Sequence, residues 1–186
     1  YAPALPSMES TNSLGFLASL PLSAQGGTNK SELCTVGYFS GFGKSSVFNS
    51  STQKSGNIYR YFVASDETFE EMTNTSPDFF KNAPSDSGDV SPTGDGLDVL
   101  ARNIADFSVR QYTVSTDGSL NVFTQSAITP MPDLIEVSIT AVNNEFANKI
   151  GAASQSEWKA ETDLSKPAAR QNRRTFTVRI PINRPN

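Results

Sequence analysis

Histidine is absent from the 186-residue chain, and cysteine occurs once, at Cys34. Without an imidazole, the common zinc sites, the Ser-His-Asp triad and the Cys-His pair each lack a member, which removes most hydrolytic mechanisms. A lone Cys34 closes no internal disulfide, so cysteine usage does not report the redox compartment. Basic charge is also scarce. Fifteen Lys and Arg against 19 Asp and Glu leave a formal charge of −4, the wrong sign for a surface that displaces counterions from nucleic acid. No stretch approaches the roughly 20 apolar residues of a membrane-spanning helix, and Tyr1-Ala2-Pro3-Ala4 has no basic segment leading into an apolar run.

What is present is alternation. In Pro132–Val142, Ile135, Val137, Ile139 and Ala141 fall on one side, and Glu136, Ser138 and Thr140 on the other. In Arg174–Ile182, Phe176, Val178, Ile180 and Ile182 oppose Thr177 and Arg179. A period of two in β-branched segments predicts half-buried strands of an antiparallel sheet. It places Val137 and Val178 in the core, with Glu136 and Arg179 reaching solvent or a rim. A chain of this length buries about 70% of its unfolded surface, so a core forms without staples.

Residues 1–30 are rich in Pro, Ser, Asn and Gly and read as an N-terminal arm with one possible strand at Leu14–Leu20. Residues 31–186 read as one β-rich domain. Leu33–Phe39 and Asn57–Val63 are expected as aromatic-rich strands of a hairpin with a long connection. Ser65 is expected to cap a helix from Asp66 to Met72, with acids in its first turn. Residues 74–96 read as a long loop. Leu97, Leu100, Ala101 and Ile104 repeat at helical spacing, followed by a strand from Phe107 to Val114. Asp117-Gly118 signals a hairpin, and a helix from Glu145 should stop at Gly151. The expected class is α+β: antiparallel sheets with a few short helices.

Several motifs are partial. Gly41-Phe42-Gly43-Lys44-Ser45 resembles the end of a phosphate-binding loop, but the position five residues before Gly43 is Tyr38, not Gly. A hairpin loop using glycine for positive φ is the simpler reading. Ser51-Thr52-Gln53-Lys54 and Ser156-Glu157-Trp158-Lys159 match Ser-x-x-Lys without its partner motifs, and read as a solvated loop and an exposed helical turn. Asp86, Asp89 and Asp95, interleaved with Gly88, Gly94 and Gly96, offer hard oxygens to calcium but do not follow the EF-hand spacing, so the loop is expected to be metal-free. The carboxylate pair of a glycosidase is a spatial arrangement that sequence does not specify. No cofactor and no metal site is expected.

Three segments taken together resemble a known family. Leu33–Phe39 with Tyr59–Phe62, Leu100–Arg110, and Met131–Ile139 resemble the head region of J-type minor pseudopilins, closest to the Verru_Chthon cassette family of verrucomicrobial bacteria. In that pattern a junction, here Asn103 to Arg110, precedes a Pro-opened strand and a final Arg-bearing strand, here Arg174 to Ile182. The resemblance covers roughly residues 14–186. It implies a non-enzymatic subunit of a type II secretion or type IV pilus-like system, inner-membrane-anchored with a periplasmic head, and it supplies no catalytic residues. The leader and apolar anchor helix of such proteins do not precede Tyr1 in this sequence, so membrane attachment is expected only through a helix outside it.

The implied partners are other pseudopilin or pilin subunits, and the isolated head is expected to be a monomer. Residues 61–100 hold nine acids against Lys81 alone, whereas residues 149–186 hold eight bases against three acids. Such runs read first as two solvated faces; on different sides of a head they suit a heterologous contact. Arg170, Arg173 and Arg174 are the expected partner-binding residues. The competing reading is a secreted or surface β-rich module binding glycan or protein through Tyr38, Tyr59, Tyr61 and Trp158.

Overall fold

The computed structural model describes residues 13–21, 31–44, 54–75, 97–123 and 131–182. Among these, eight strands make two antiparallel sheets. Sheet A has the order β1 (Ser13–Ser19), β2 (Leu33–Lys44), β3 (Lys54–Val63), β4 (Leu97–Arg102). Sheet B has the order β6 (Leu120–Val122), β5 (Ile104–Val114), β7 (Leu134–Val142), β8 (Arg173–Pro181). Helix α1 (Ser65–Met72) follows β3, while α2 (Asn144–Ile150), α3 (Gln155–Glu161) and α4 (Pro167–Asn172) lie between β7 and β8. The α+β class expected from the sequence is the one observed. Asp86, Asp89 and Asp95 with their glycines, together with Ser45 and Ser51–Gln53, lie outside the described residues.

A large cluster lies between the two sheets. Tyr38, Ile58 and Ala101 of sheet A meet Ile104, Phe107 and Val109 of β5, with Ile135, Val137 and Ile139 of β7 behind them. Sheet A carries a second cluster on its other face, where Phe39, Tyr59, Tyr61, Val63 and Leu97 are buried and the Phe39 and Tyr59 rings stack at 5.4 Å. The central strands β2 and β3 therefore bury apolar side chains on both faces of sheet A, and each large apolar side chain so buried contributes about 1.5–3 kcal/mol. Sheet B keeps a polar outer face. Its rungs are Thr140 Oγ1 with Thr175 Oγ1 at 2.9 Å, Ser138 Oγ with Thr177 Oγ1 at 2.8 Å, and Arg179 Nε donating to Glu136 Oε2 at 2.8 Å.

A single residue carries the chain from one sheet to the other. Asn103 stands between β4 and β5 with φ 57°, a left-handed conformation that asparagine tolerates better than most side chains. Its carbonyl accepts from Val142 N at 2.8 Å and its N–H reaches Ser55 Oγ at 3.4 Å. Ser55 Oγ in turn donates to Asn57 Oδ1, and Asn57 Nδ2 donates to Gly43 O at 3.1 Å and Tyr59 Oη at 2.9 Å. Asn57 is fully buried, and these bonds satisfy an amide that would otherwise cost about 1–3 kcal/mol.

Trp158 locks the same corner. It is 2% exposed and its Nε1 donates to Ile104 O at 2.8 Å, while its ring joins Phe42, Val142, Ala147 and Ala152 in a third cluster. The indole lies so close to β3 that a Cβ on Gly56 would sit 2.0 Å from Ile104 O and 2.6 Å from Trp158 Nε1. Only glycine fits there.

Four local expectations are corrected. Leu97–Ile104 is not helical: it is β4, the Asn103 corner and the start of β5. Leu97 and Val99 face inward by alternation, and a bulge opposite Ile58/Tyr59 leaves Leu100 as the extra, exposed residue, so pairing with β3 overrides the helical spacing. Gly41–Lys44 is strand rather than loop, with Gly41 opposite Asn57 and Gly43 opposite Ser55, and the described glycines with positive φ are Gly118 and Gly151. The N-cap of α1 is Ala64 without a side-chain bond, and Ser65 is its buried first residue. In the helical turn around Trp158, Ser156, Glu157 and Lys159 are exposed as expected, but the Trp158 side chain itself is interior.

Other local readings hold. β1 forms at Ser13–Ser19 and pairs along its length with β2. The Asp117-Gly118 turn closes β5 onto β6, with Ser119 N donating to Asp117 Oδ1 at 2.9 Å and Gly118 at φ 82°. Asn143 caps α2 and Gly151 ends it at φ 55°. Strands β7 and β8 lie in an antiparallel sheet as expected, and the structure makes them direct neighbours.

Candidate interaction surface

The alternation in β8 is as expected, but the burial inferred from it is not. Val109 of β5, Val137 of β7 and Val178 of β8 stand in one row across sheet B. Their exposure climbs along that row: Val109 is 9% exposed, Val137 is half-buried and Val178 is 54% exposed. Sheet A covers β5 and stops short of β8. Glu136, expected at a rim, is instead 9% exposed on the opposite face, lying beneath Arg179 and within 3.4 Å of the Tyr112 hydroxyl. The hydrogen bond from Arg179 is the main reason its carboxyl is held below the usual glutamate range, with desolvation acting the other way.

β8 thus presents Phe176, Val178 and Ile180 at 62%, 54% and 43% exposure. Arg174 has the same parity and is paired with Ala141, so it heads this stripe on the same face. The free edge of the strand is different in character. Ile182 N donates inward to Asp133 O at 2.8 Å, so the even-numbered residues bond to β7 and the odd-numbered ones aim their backbone groups outward. The outward positions are Arg173, Thr175, Thr177, Arg179 and Pro181, an edge blunted by charge and by a residue without an N–H. The face, rather than the edge, is the adhesive part of β8.

The sequence-predicted basic residues divide. Arg170 on α4 and Arg174 on β8 are exposed. Arg173 is half-buried, and its Nη1 donates to Thr162 O at 2.6 Å, which ties the end of α3 to the start of β8. The apolar stripe was missed as a surface because Val178 and Ile180 look like core residues in a sequence. The available signal was Arg174, a charge in the parity of the supposed buried face.

The remaining candidates for chemistry are weak. A cleft of ≈ 150 Å³ opens beside Trp158, lined by Ser40, Asn57, Asp106, Gln155 and Lys159, well below the roughly 300–1,000 Å³ of small-molecule pockets. Ser156 Oγ meets Ser154 Oγ at 3.1 Å. Among the described residues no three Cys, Asp or Glu side chains converge as metal ligands, and no helix is long and apolar enough to cross a membrane. Of the aromatic residues proposed to line a binding groove, Tyr59, Tyr61 and Trp158 are interior, and the half-buried Tyr38 ring packs against Phe16 at 5.9 Å. No protein-family model, curated protein or solved structure matches the chain.

Proposed function

We propose that the chain is the periplasmic head of a non-enzymatic assembly subunit, a minor pseudopilin-like protein of a type II secretion or type IV pilus-like system. The observation that carries this reading is the exposed β8 stripe, because contiguous apolar side chains beside basic residues mark protein contacts. The segments that resemble the pseudopilin head occupy adjoining strands: Leu33–Phe39 and Tyr59–Phe62 pair as β2 and β3, and Leu100–Arg110 and Met131–Ile139 run through β4, β5 and β7.

The test is the coding sequence ahead of Tyr1 together with the behaviour of its product. A short basic leader and about 20 apolar residues, with the product fractionating in the inner membrane, is the expected result. A cleaved secretory signal joined directly to Tyr1 and a freely soluble product would contradict the reading.

A further inference from the structure

The outer strands of the two sheets are β1, β4, β6 and β8, and their edges differ. β8 carries Arg173, Arg179 and Pro181, β4 carries Asp98, Arg102 and a bulge, and β6 is three residues long. Charge, proline, a bulge and shortness each discourage the addition of a further strand. β1 has none of these. It reads Ser-Leu-Gly-Phe-Leu-Ala-Ser over Ser13–Ser19 and pairs with β2 without a shift in register.

The ladder fixes the direction of each backbone group in β1. Leu20 N donates to Glu32 O at 2.7 Å, and the same register runs on to Ser13 opposite Phe39. Leu14, Phe16 and Ala18 therefore bond to β2, while Gly15, Leu17 and Ser19 aim their N–H and C=O groups away from it. The even side chains share the face of sheet A that meets sheet B, since Leu14 joins the cluster between the sheets and the Phe16 ring lies 5.9 Å from Tyr38. Phe16 is nevertheless 37% exposed. It is an aromatic side chain left in water at the midpoint of the one edge strand, among those described, that carries no charge and no proline.

We infer that β1 pairs antiparallel with β1 of a second copy about a two-fold axis at Phe16, joining two four-stranded sheets into one. The contact does not depend on the pseudopilin reading. An axis at the midpoint of Ser13–Ser19 uses the whole strand, and it makes Gly15 and Leu17 of opposite copies a hydrogen-bonded pair on each side of the axis. Leu14 then faces Ala18, and Gly15 faces Leu17, so each large side chain meets a small one. The two Phe16 rings meet at a non-hydrogen-bonded position, where Cα atoms are about 4.5 Å apart and side chains lie closest. A charged strand would find no counter-charge on β1, whereas β1 brings no charge against itself; that selects a second copy as the occupant. The contact is isologous, so it closes at the dimer. With no ion pair in it, salt screening does not weaken it.

Sedimentation velocity on the purified chain over a concentration series, at low and high salt, tests this with Phe16→Lys and Phe16→Glu. The expected result is a wild-type monomer–dimer equilibrium that persists at high salt, weakened at least about tenfold in either variant alone, because the axis sets each new charge against its own kind. Mixing the two variants should restore dimers, since opposite charges then face each other. Thermal melts check folding. Phe16→Cys adds no charge and serves if the charged variants melt early: oxidation with diamide should cross-link it as a dimer, because Cα atoms about 4.5 Å apart lie within disulfide reach. Wild type, whose one thiol is the buried Cys34, is the control. A wild type that stays monomeric up to about 1 mM, association beyond the dimer, or a Phe16→Cys chain that does not cross-link would overturn the pairing. So would dimers kept in both charged variants but lost in Val178→Glu, which would move the contact to the β8 face.

Discussion

Sheets A and B have the same number of strands, yet the central strands of A and the outer strand of B meet water differently. In β2 and β3 most residues are buried, on both faces, including Thr35, Ser55 and Asn57. On the apolar face of sheet B burial falls along the row Val109, Val137, Val178, and β8 is almost wholly exposed. The centre of sheet A is therefore core on both faces, and the far edge of sheet B supplies surface. The lesson is that an apolar parity identifies a face and not its cover, because the cover belongs to another part of the chain.

The largest effects should come from breaking the corner that joins the sheets. Trp158→Ala removes a buried indole and the bond to Ile104 O, and should lower stability by about 3–5 kcal/mol in urea unfolding. If the loss were under about 1 kcal/mol, the corner would not be what holds the two layers together. Gly56→Ala is the subtler probe, because its Cβ would enter the space of the Ile104 carbonyl and the Trp158 ring nitrogen. About 3 kcal/mol should be lost, and Trp158 fluorescence should report the displaced ring.

A smaller effect belongs to the polar face of sheet B. Glu136 has a depressed carboxyl, so its contribution to stability is present above the unfolded glutamate range and is lost as pH falls through the lower folded value. Glu136→Gln should lower stability at neutral pH, where the carboxylate contribution is present, and flatten the acid limb of the stability profile as pH falls below the unfolded glutamate range. An unchanged acid limb would mean that Arg179 does not hold Glu136 in solution.

Much of this architecture was legible. Period-two alternation gave β7 and β8 as strands of an antiparallel sheet, and Asp117-Gly118 and Gly151 marked the β5–β6 turn and the end of α2, where the glycines take positive φ. The β4–β5 segment was not legible as strand, because Leu97, Leu100, Ala101 and Ile104 fit a helical spacing as well as a bulged strand, and only pairing with β3 decides between them. Trp158 and Gly56 are distant in sequence, so their close approach leaves no local trace. Arg170, Arg173 and Arg174 were visible as a basic run, but which of them is tied inward depended on Thr162 lying beneath Arg173. The exposed stripe on β8 follows from what the strand packs on, which periodicity does not contain.

The smallest expected change in stability is also the most direct test. Val109→Asp, Val137→Asp and Val178→Asp place the same carboxylate at three points of one row across sheet B. Thermal and urea unfolding should show a loss of several kcal/mol at Val109, less at Val137, and no more than about 0.5 kcal/mol at Val178. A Val178→Asp variant that melts as early as Val109→Asp would show β8 to be covered, and would contradict the account of its face as a docking surface.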